Sequence, residues 1–211
     1  MPRFLPIFPL TLVAYPGETV NLHIFEPRYK ELIRDVQAGD GLFAMPAYLE
    51  ERVVEYATVL RLEGVEKTYA DGKMDIRTVG TGVVRILELL REVPDKMYSA
   101  AVVDERPDVE DHDATVASAL FGYWRQVQQL LRIEKPDLAR PADVRAYAIA
   151  HLVGLSMKQE YELLTYARET DRQKYLVAHL KESLPVLAEA ERARQRAMLN
   201  GHFRHLDPPV F

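Results

Sequence analysis

A chain of 211 residues with 48% hydrophobic and 28% charged side chains has the composition of an ordinary globular protein, long enough for one large domain or two small ones. The absence of cysteine removes disulfides, thiol catalysis and cysteine-ligated zinc or iron–sulfur centres, and it fits a reducing, cytoplasmic setting. A formal net charge of −5 disfavours nucleic acid as the main ligand, because phosphate binding needs a basic surface.

Pro6 and Pro9 forbid a helix interior, so residues 4–10 are expected as a short edge strand or extended arm. The same prolines break any signal-peptide core, and no apolar run is long enough to span a membrane. Tyr15-Pro16-Gly17 is a turn in which proline fixes one torsion and glycine supplies a positive one. Val20, Leu22 and Ile24 then alternate with Asn21 and His23, the period of a half-buried strand. Glu26 stands at a helix-cap position and Pro27 at the first helical position. Tyr29, Leu32, Ile33 and Val36 share one helical face, and Gly39 closes the helix. Phe25, at the corner of strand and helix, is expected to be core.

A buried strand ending at Pro46 follows, then a loop carrying Tyr48 and Leu49. Residues 53–69 read as a long strand, or two strands with a bend, with a bulge at Gly64, and Asp71-Gly72 is a hairpin turn. Return strands are expected from Met74, over 83–90 and over 97–103, the last two joined by a turn at Pro94-Asp95.

Residues 104–113 hold Asp104, Glu105, Asp108, Glu110, Asp111 and Asp113, and read as a solvated acidic linker. Beyond them the hydrophobic period becomes helical. One helix is expected over 114–133 and a second from Pro141 to near Gly154. A third opens with the capping box Ser156/Gln159, and a fourth with Thr170/Gln173, kinked or split at Pro185. The resulting division is a β lobe over 1–103, the linker over 104–113 and a helical lobe over 114–211.

Three linked pieces, Leu5-Pro6-Ile7-Phe8-Pro9-Leu10, Tyr15-Pro16-Gly17 and Ile24-Phe25-Glu26-Pro27-Arg28-Tyr29, resemble the N-terminal, substrate-binding domain of the Lon protease family. A weaker similarity continues through Asp71-Gly72-Lys73 and Val79-Gly80-Thr81-Gly82, although Val83-Val84-Arg85 stands where the family often carries an Arg-Phe pair. The resemblance implies a free-standing member with an α+β fold. Its antiparallel β-rich lobe is a curled sheet or small PUA-like barrel with one early helix, followed by a C-terminal helical bundle. Phe8, Pro9, Pro16, Gly17, Phe25, Glu26, Arg28 and Tyr29 are its structural motif residues.

The catalytic parts of a full Lon protease are missing from the sequence. No phosphate loop of the Gly-x-x-x-x-Gly-Lys-Ser/Thr type occurs, and Gly72-Lys73 is followed by Met74. Ser156 stands near Lys158, yet a helix cap accounts for it without catalysis. His202, His205 and Asp207 could meet around a divalent ion, but a proline-rich tail lacks the outer groups that hold such ligands. Neither a metal nor a cofactor is expected.

The leading expectation is therefore a non-catalytic module that binds unfolded or exposed polypeptide segments, working with a protease or chaperone in another chain. Tyr15, Met45, Tyr48 and Leu49, apolar residues in loop-like positions, are its candidate contacts. The alternative is an RNA-binding module, since the Lon N-terminal sheet resembles RNA-binding folds of the PUA type. That reading needs a basic stripe with stacking aromatics, which the sequence does not display.

Overall fold

The computed structural model describes residues 2–202, with side chains through residue 198. Alternating residues in the first half give six strands: β1 (Arg3–Pro6), β2 (Thr19–Ile24), β3 (Leu42–Leu49), β4 (Arg52–Thr68), β5 (Met74–Leu90) and β6 (Ala100–Arg106). They form one antiparallel sheet in the order β1-β6-β5-β4-β3. β5 is its spine. Along one edge it pairs with β4; along the other its first half takes β2 and its second half β6. The two separate return strands expected from the sequence are this single long strand.

The sheet is not a closed barrel. β2 pairs only with β5 among the described residues. The chain leaving β1 does bridge in parallel to β3, at Ile7–Ala44 and Leu10–Ala47. Register shifts in the β4–β5 ladder, one of them between Leu62 and Gly64 as the glycine predicts, bend the ribbon. β3 runs through Pro46 with a register shift before Tyr48, so Tyr48 and Leu49 are strand residues, not loop. The connection to β4 is Glu50-Glu51, both with positive φ (49° and 62°).

Helix α1 (Pro27–Ala38) forms as the spacing predicts, burying Tyr29, Leu32, Ile33 and Val36. These side chains meet Phe43, Leu60 and Ile76 in one core cluster. Leu5, Ile7, Ala44, Val84 and Val103 make a second. Adjacent residues Phe43 and Ala44 belong to different clusters, as the two faces of a pleated strand require. Glu26 is the α1 cap residue, but its side chain accepts no capping bond.

The acidic stretch is largely exposed to solvent but tied down at several points. Asp104 to Arg106 belong to β6, and Val109 bridges to Arg168. Asp111 accepts the Thr170 N–H at 2.9 Å, and Asp113 caps helix α2 (Ala114–Leu131). The partners of Val109 and Asp111 lie about sixty residues away in sequence, outside the reach of any local pattern.

The expected second helix is broken into a 3-10 turn at Pro141–Asp143, the short α3 (Ala146–Ile149) and another 3-10 turn at Ala150–Leu152. Ser156 and Gln159 do form the capping box of α4 (Met157–Thr165). Helix α5 (Glu169–His202) starts before Thr170, so Thr170/Gln173 is not its cap, and it continues through Pro185 without splitting. Among the described residues no helix is long and apolar enough to cross a membrane.

Two compact units result. One holds the sheet, α1 and Arg145–Arg172; the other holds His112–Val144 and the chain from Gln173 onward. The second unit is centred on Trp124, fully buried, whose Nε1–H donates to the Pro136 carbonyl at 3.3 Å.

Candidate functional site

Six of the motif residues, Phe8, Pro9, Phe25, Glu26, Arg28 and Tyr29, line a recess of about 230 Å³ together with Leu10 and residues Leu22 to Ile24. Proline at residues 6 and 9 keeps the arm extended, and β3 holds it: Phe8 N–H donates to the Ala44 carbonyl at 2.9 Å, and Tyr48 N–H to that of Leu10 at 2.7 Å. Phe8 is buried, its ring centred 4.1 Å from that of Tyr29. Burial raises the Tyr29 pKa, so the phenol stays neutral.

Strand alternation decides what the end of β2 presents. Ile24 points into the core; Phe25, one residue on, shares the outer side with His23 and is 57% exposed. This reverses the expectation of a core Phe25, and the period-two pattern of β2 carried one residue further would have found it. The His23 and Phe25 rings stack with centroids 6.2 Å apart. His23 Nδ1 lies 2.6 Å from Asp75, which also accepts the Tyr69 hydroxyl at 2.7 Å. The bond to His23 and then that to Tyr69 lower the Asp75 pKa. At the far rim Arg28 Nε donates to Glu26 at 2.9 Å while its guanidinium lies 4.5 Å from the Tyr29 ring centroid. Glu26 thus anchors Arg28 instead of capping α1.

Beside the recess runs the open edge of β2. Alternate residues there turn their N–H and C=O groups away from β5, which makes the strand a template for one more extended chain. The recess is of side-chain size, smaller than the roughly 300–1,000 Å³ of small-molecule sites. It is lined by apolar surface and by ion pairs already satisfied, without a nucleophile beside a base. Such a place has room for an apolar side chain beside an extended backbone.

The model of the ATP-dependent protease La (LON) substrate-binding domain matches residues 4–182. The chain belongs to this Lon substrate-binding domain family. Among solved structures it is similar to a Lon N-terminal domain protein from Xanthomonas campestris, with 28% identity, a TM-score of 0.65, and coverage of 83% of this chain and 98% of that one. It also shares its fold with the N-terminal domain of a Mycobacterium avium complex Lon protease, at 18% identity and a TM-score of 0.65, over 85% and 99% of the two chains.

Within this Lon substrate-binding domain the four candidate contacts separate. Tyr15 and Met45 are buried, at 1% and 2% exposure, and offer nothing to a partner from outside. Tyr48 is 42% exposed, with its hydroxyl donating to the Glu51 carbonyl, and Leu49 beside it is half-buried. Those two sit at the β3–β4 hairpin. Pro16 and Gly17 line a different cleft of about 680 Å³ together with Glu18, Tyr147, His151 and Arg172. There Tyr15 stacks on Tyr147 at 4.8 Å, and the buried Arg172 is held by Glu169 at 3.0 Å and Asp108 at 2.8 Å. The side chain of His202, and His205 and Asp207 altogether, lie outside the described residues.

Proposed function

We propose that this Lon substrate-binding domain is a non-catalytic recognition module that takes extended, apolar polypeptide segments and presents them to a protease or chaperone in another chain. The observation that carries the reading is Phe25, exposed above an apolar recess at the open edge of β2. A segment adding to β2 places alternate side chains toward the recess, and backbone pairing makes the affinity tolerant of sequence. No hydrolysis of peptide bonds or of ATP is assigned to the chain, whose sequence lacks a phosphate loop.

The test is fluorescence anisotropy with labelled, reduced and carboxymethylated α-lactalbumin as a permanently unfolded probe. Phe25→Asp is expected to weaken binding at least about tenfold, equivalent to about 1.4 kcal/mol, with an unchanged melting temperature. Tyr48→Ala is expected to bind as wild type. Loss of binding in Tyr48→Ala with Phe25→Asp unaffected places the contact at the β3–β4 hairpin and overturns the assignment.

A further inference from the structure

The second unit carries a groove of about 620 Å³ between α2 and α5 that the polypeptide-binding reading leaves unused. We infer that this groove docks an acidic amphipathic helix of a partner protein. Its walls follow helical spacing: Tyr123, Gln126 and Leu130 on α2, and Lys181, Leu184 and Ala188 on α5, each at i, i+3 and i+7. Tyr123, Leu130, Leu184, Pro185 and Ala188 give the groove an apolar floor.

The charge of the rim selects the occupant. Among the described residues Arg132 and Lys181 line the groove and no carboxylate does; the adjoining recess along α5 adds Arg192 and Arg196 against Glu189. This cationic strip belongs to a chain whose net charge is −5. Arg132 and Lys181 have no ion-pair partner among the described residues, so their charge is available to an incoming acid. Pro185 adds a hydrogen-bonding feature. It has no N–H, so the Lys181 carbonyl one turn earlier lacks its helical donor at the groove wall.

A helix with leucines on one face and glutamates flanking them satisfies floor and rim together. A nucleic acid matches the rim only, since Tyr123 is the sole aromatic ring among the described residues of the lining. The end of a second copy's α5 carries three arginines, Arg192, Arg194 and Arg196, to two glutamates, Glu189 and Glu191, and so brings a surplus of positive charge to the same cations.

The experiment uses the full chain and two fluorescein-labelled helical peptides of about five turns. One carries leucines on one face and glutamate elsewhere; the other has lysine for every glutamate. The glutamate peptide is expected to bind and the lysine peptide not to. Arg132→Glu combined with Lys181→Glu should weaken the glutamate peptide at least about tenfold and create affinity for the lysine peptide. Ala188→Trp, which fills the floor, should abolish binding of the first peptide; melting curves confirm that each variant is folded. Equal binding of both peptides, or a charge reversal without effect, overturns the proposal. So does displacement of the glutamate peptide by oligouridylate, or a wild-type dimer that the same substitutions dissociate.

Discussion

Glu18 and His151, 133 residues apart, meet at 3.2 Å: the imidazole Nε2 faces the Glu18 carboxylate. Its Nδ1 lies 2.7 Å from Glu160, and the ring leans on that of Tyr15 with centroids 4.8 Å apart. The hydrogen bond to Glu18, opposed by burial and aided by Glu160, raises the His151 pKa from 6.5 to about 9. A histidine whose folded pKa is raised contributes stability that is complete below pH 6.5 and lost as pH rises through about 9. The side chain is 36% exposed, so solvent screening reduces the contribution, which we place on the order of 1 kcal/mol. Wild type should melt above His151→Gln at pH 6, and the gap should close by pH 10. A gap that stays constant over that range would falsify the charged-histidine account.

Gly80 is the most closely approached of the described glycines. A Cβ built there meets the Tyr15 carbonyl oxygen at 2.2 Å and its carbon at 2.9 Å, both backbone atoms that cannot swing aside. The approach is fixed by hydrogen bonds: Gly80 N–H donates to the Glu18 carbonyl and Gly17 N–H to the Gly80 carbonyl, each at 2.8 Å. Gly82, on the same strand, has nothing within 4 Å of its added Cβ. Gly80→Ala should therefore cost at least about 1–3 kcal/mol of overpacking, while Gly82→Ala stays close to wild type. Urea melts of the two variants check the contrast, and equal midpoints reject it.

What the sequence revealed follows the range of each interaction. The α1 face of Tyr29, Leu32, Ile33 and Val36, the Ser156–Gln159 box and the hairpin at Asp71-Gly72 are set by residues within a turn or two of each other, and local spacing displays them. Asp108 and Asp111 read as unpaired because their partners Arg172 and Thr170 arrive from a remote segment. Tyr15 read as a surface contact for the same reason: Tyr147, which covers it, is far along the chain. Pro185 stands on an exposed position of α5, where the helix can lose one hydrogen bond to water and continue. The recess was half visible. Its motif residues stood out, but which side of β2 Phe25 takes depends on carrying the alternation through the corner.

The β3–β4 turn offers a gain in stability. Leu49 pairs with Arg52 across a two-residue loop, and Glu50 and Glu51 both hold positive φ, the geometry that favours Asn-Gly. Glutamate with its Cβ is strained there. Glu51→Gly should raise stability by about 0.5–1 kcal/mol, the gain from relieving the left-handed backbone less the added freedom of the unfolded chain. Thermal denaturation measures it; a lower melting temperature than wild type rejects the strain argument.

Phe8 and Phe25 line one recess and should separate scaffold from contact. Phe8 is 5% exposed, packed on Tyr29 and edge-on to Phe43, with ring centroids 4.1 Å and 6.2 Å away. Truncating it to alanine leaves a cavity in the α1 cluster and should cost about 3–5 kcal/mol, a large part of the roughly 5–15 kcal/mol that holds a domain folded. Phe25 keeps more than half its surface in water, at 57%, so Phe25→Ala should shift stability by no more than about 0.5 kcal/mol. Chemical denaturation of the two variants checks the first half of the argument, and anisotropy with the unfolded probe the second. The expected pattern is a marginal fold for Phe8→Ala and, for Phe25→Ala, a wild-type midpoint with weakened binding. A Phe25→Ala variant that unfolds as readily as Phe8→Ala shows that the ring is held in the core after all and returns the motif to a purely structural role.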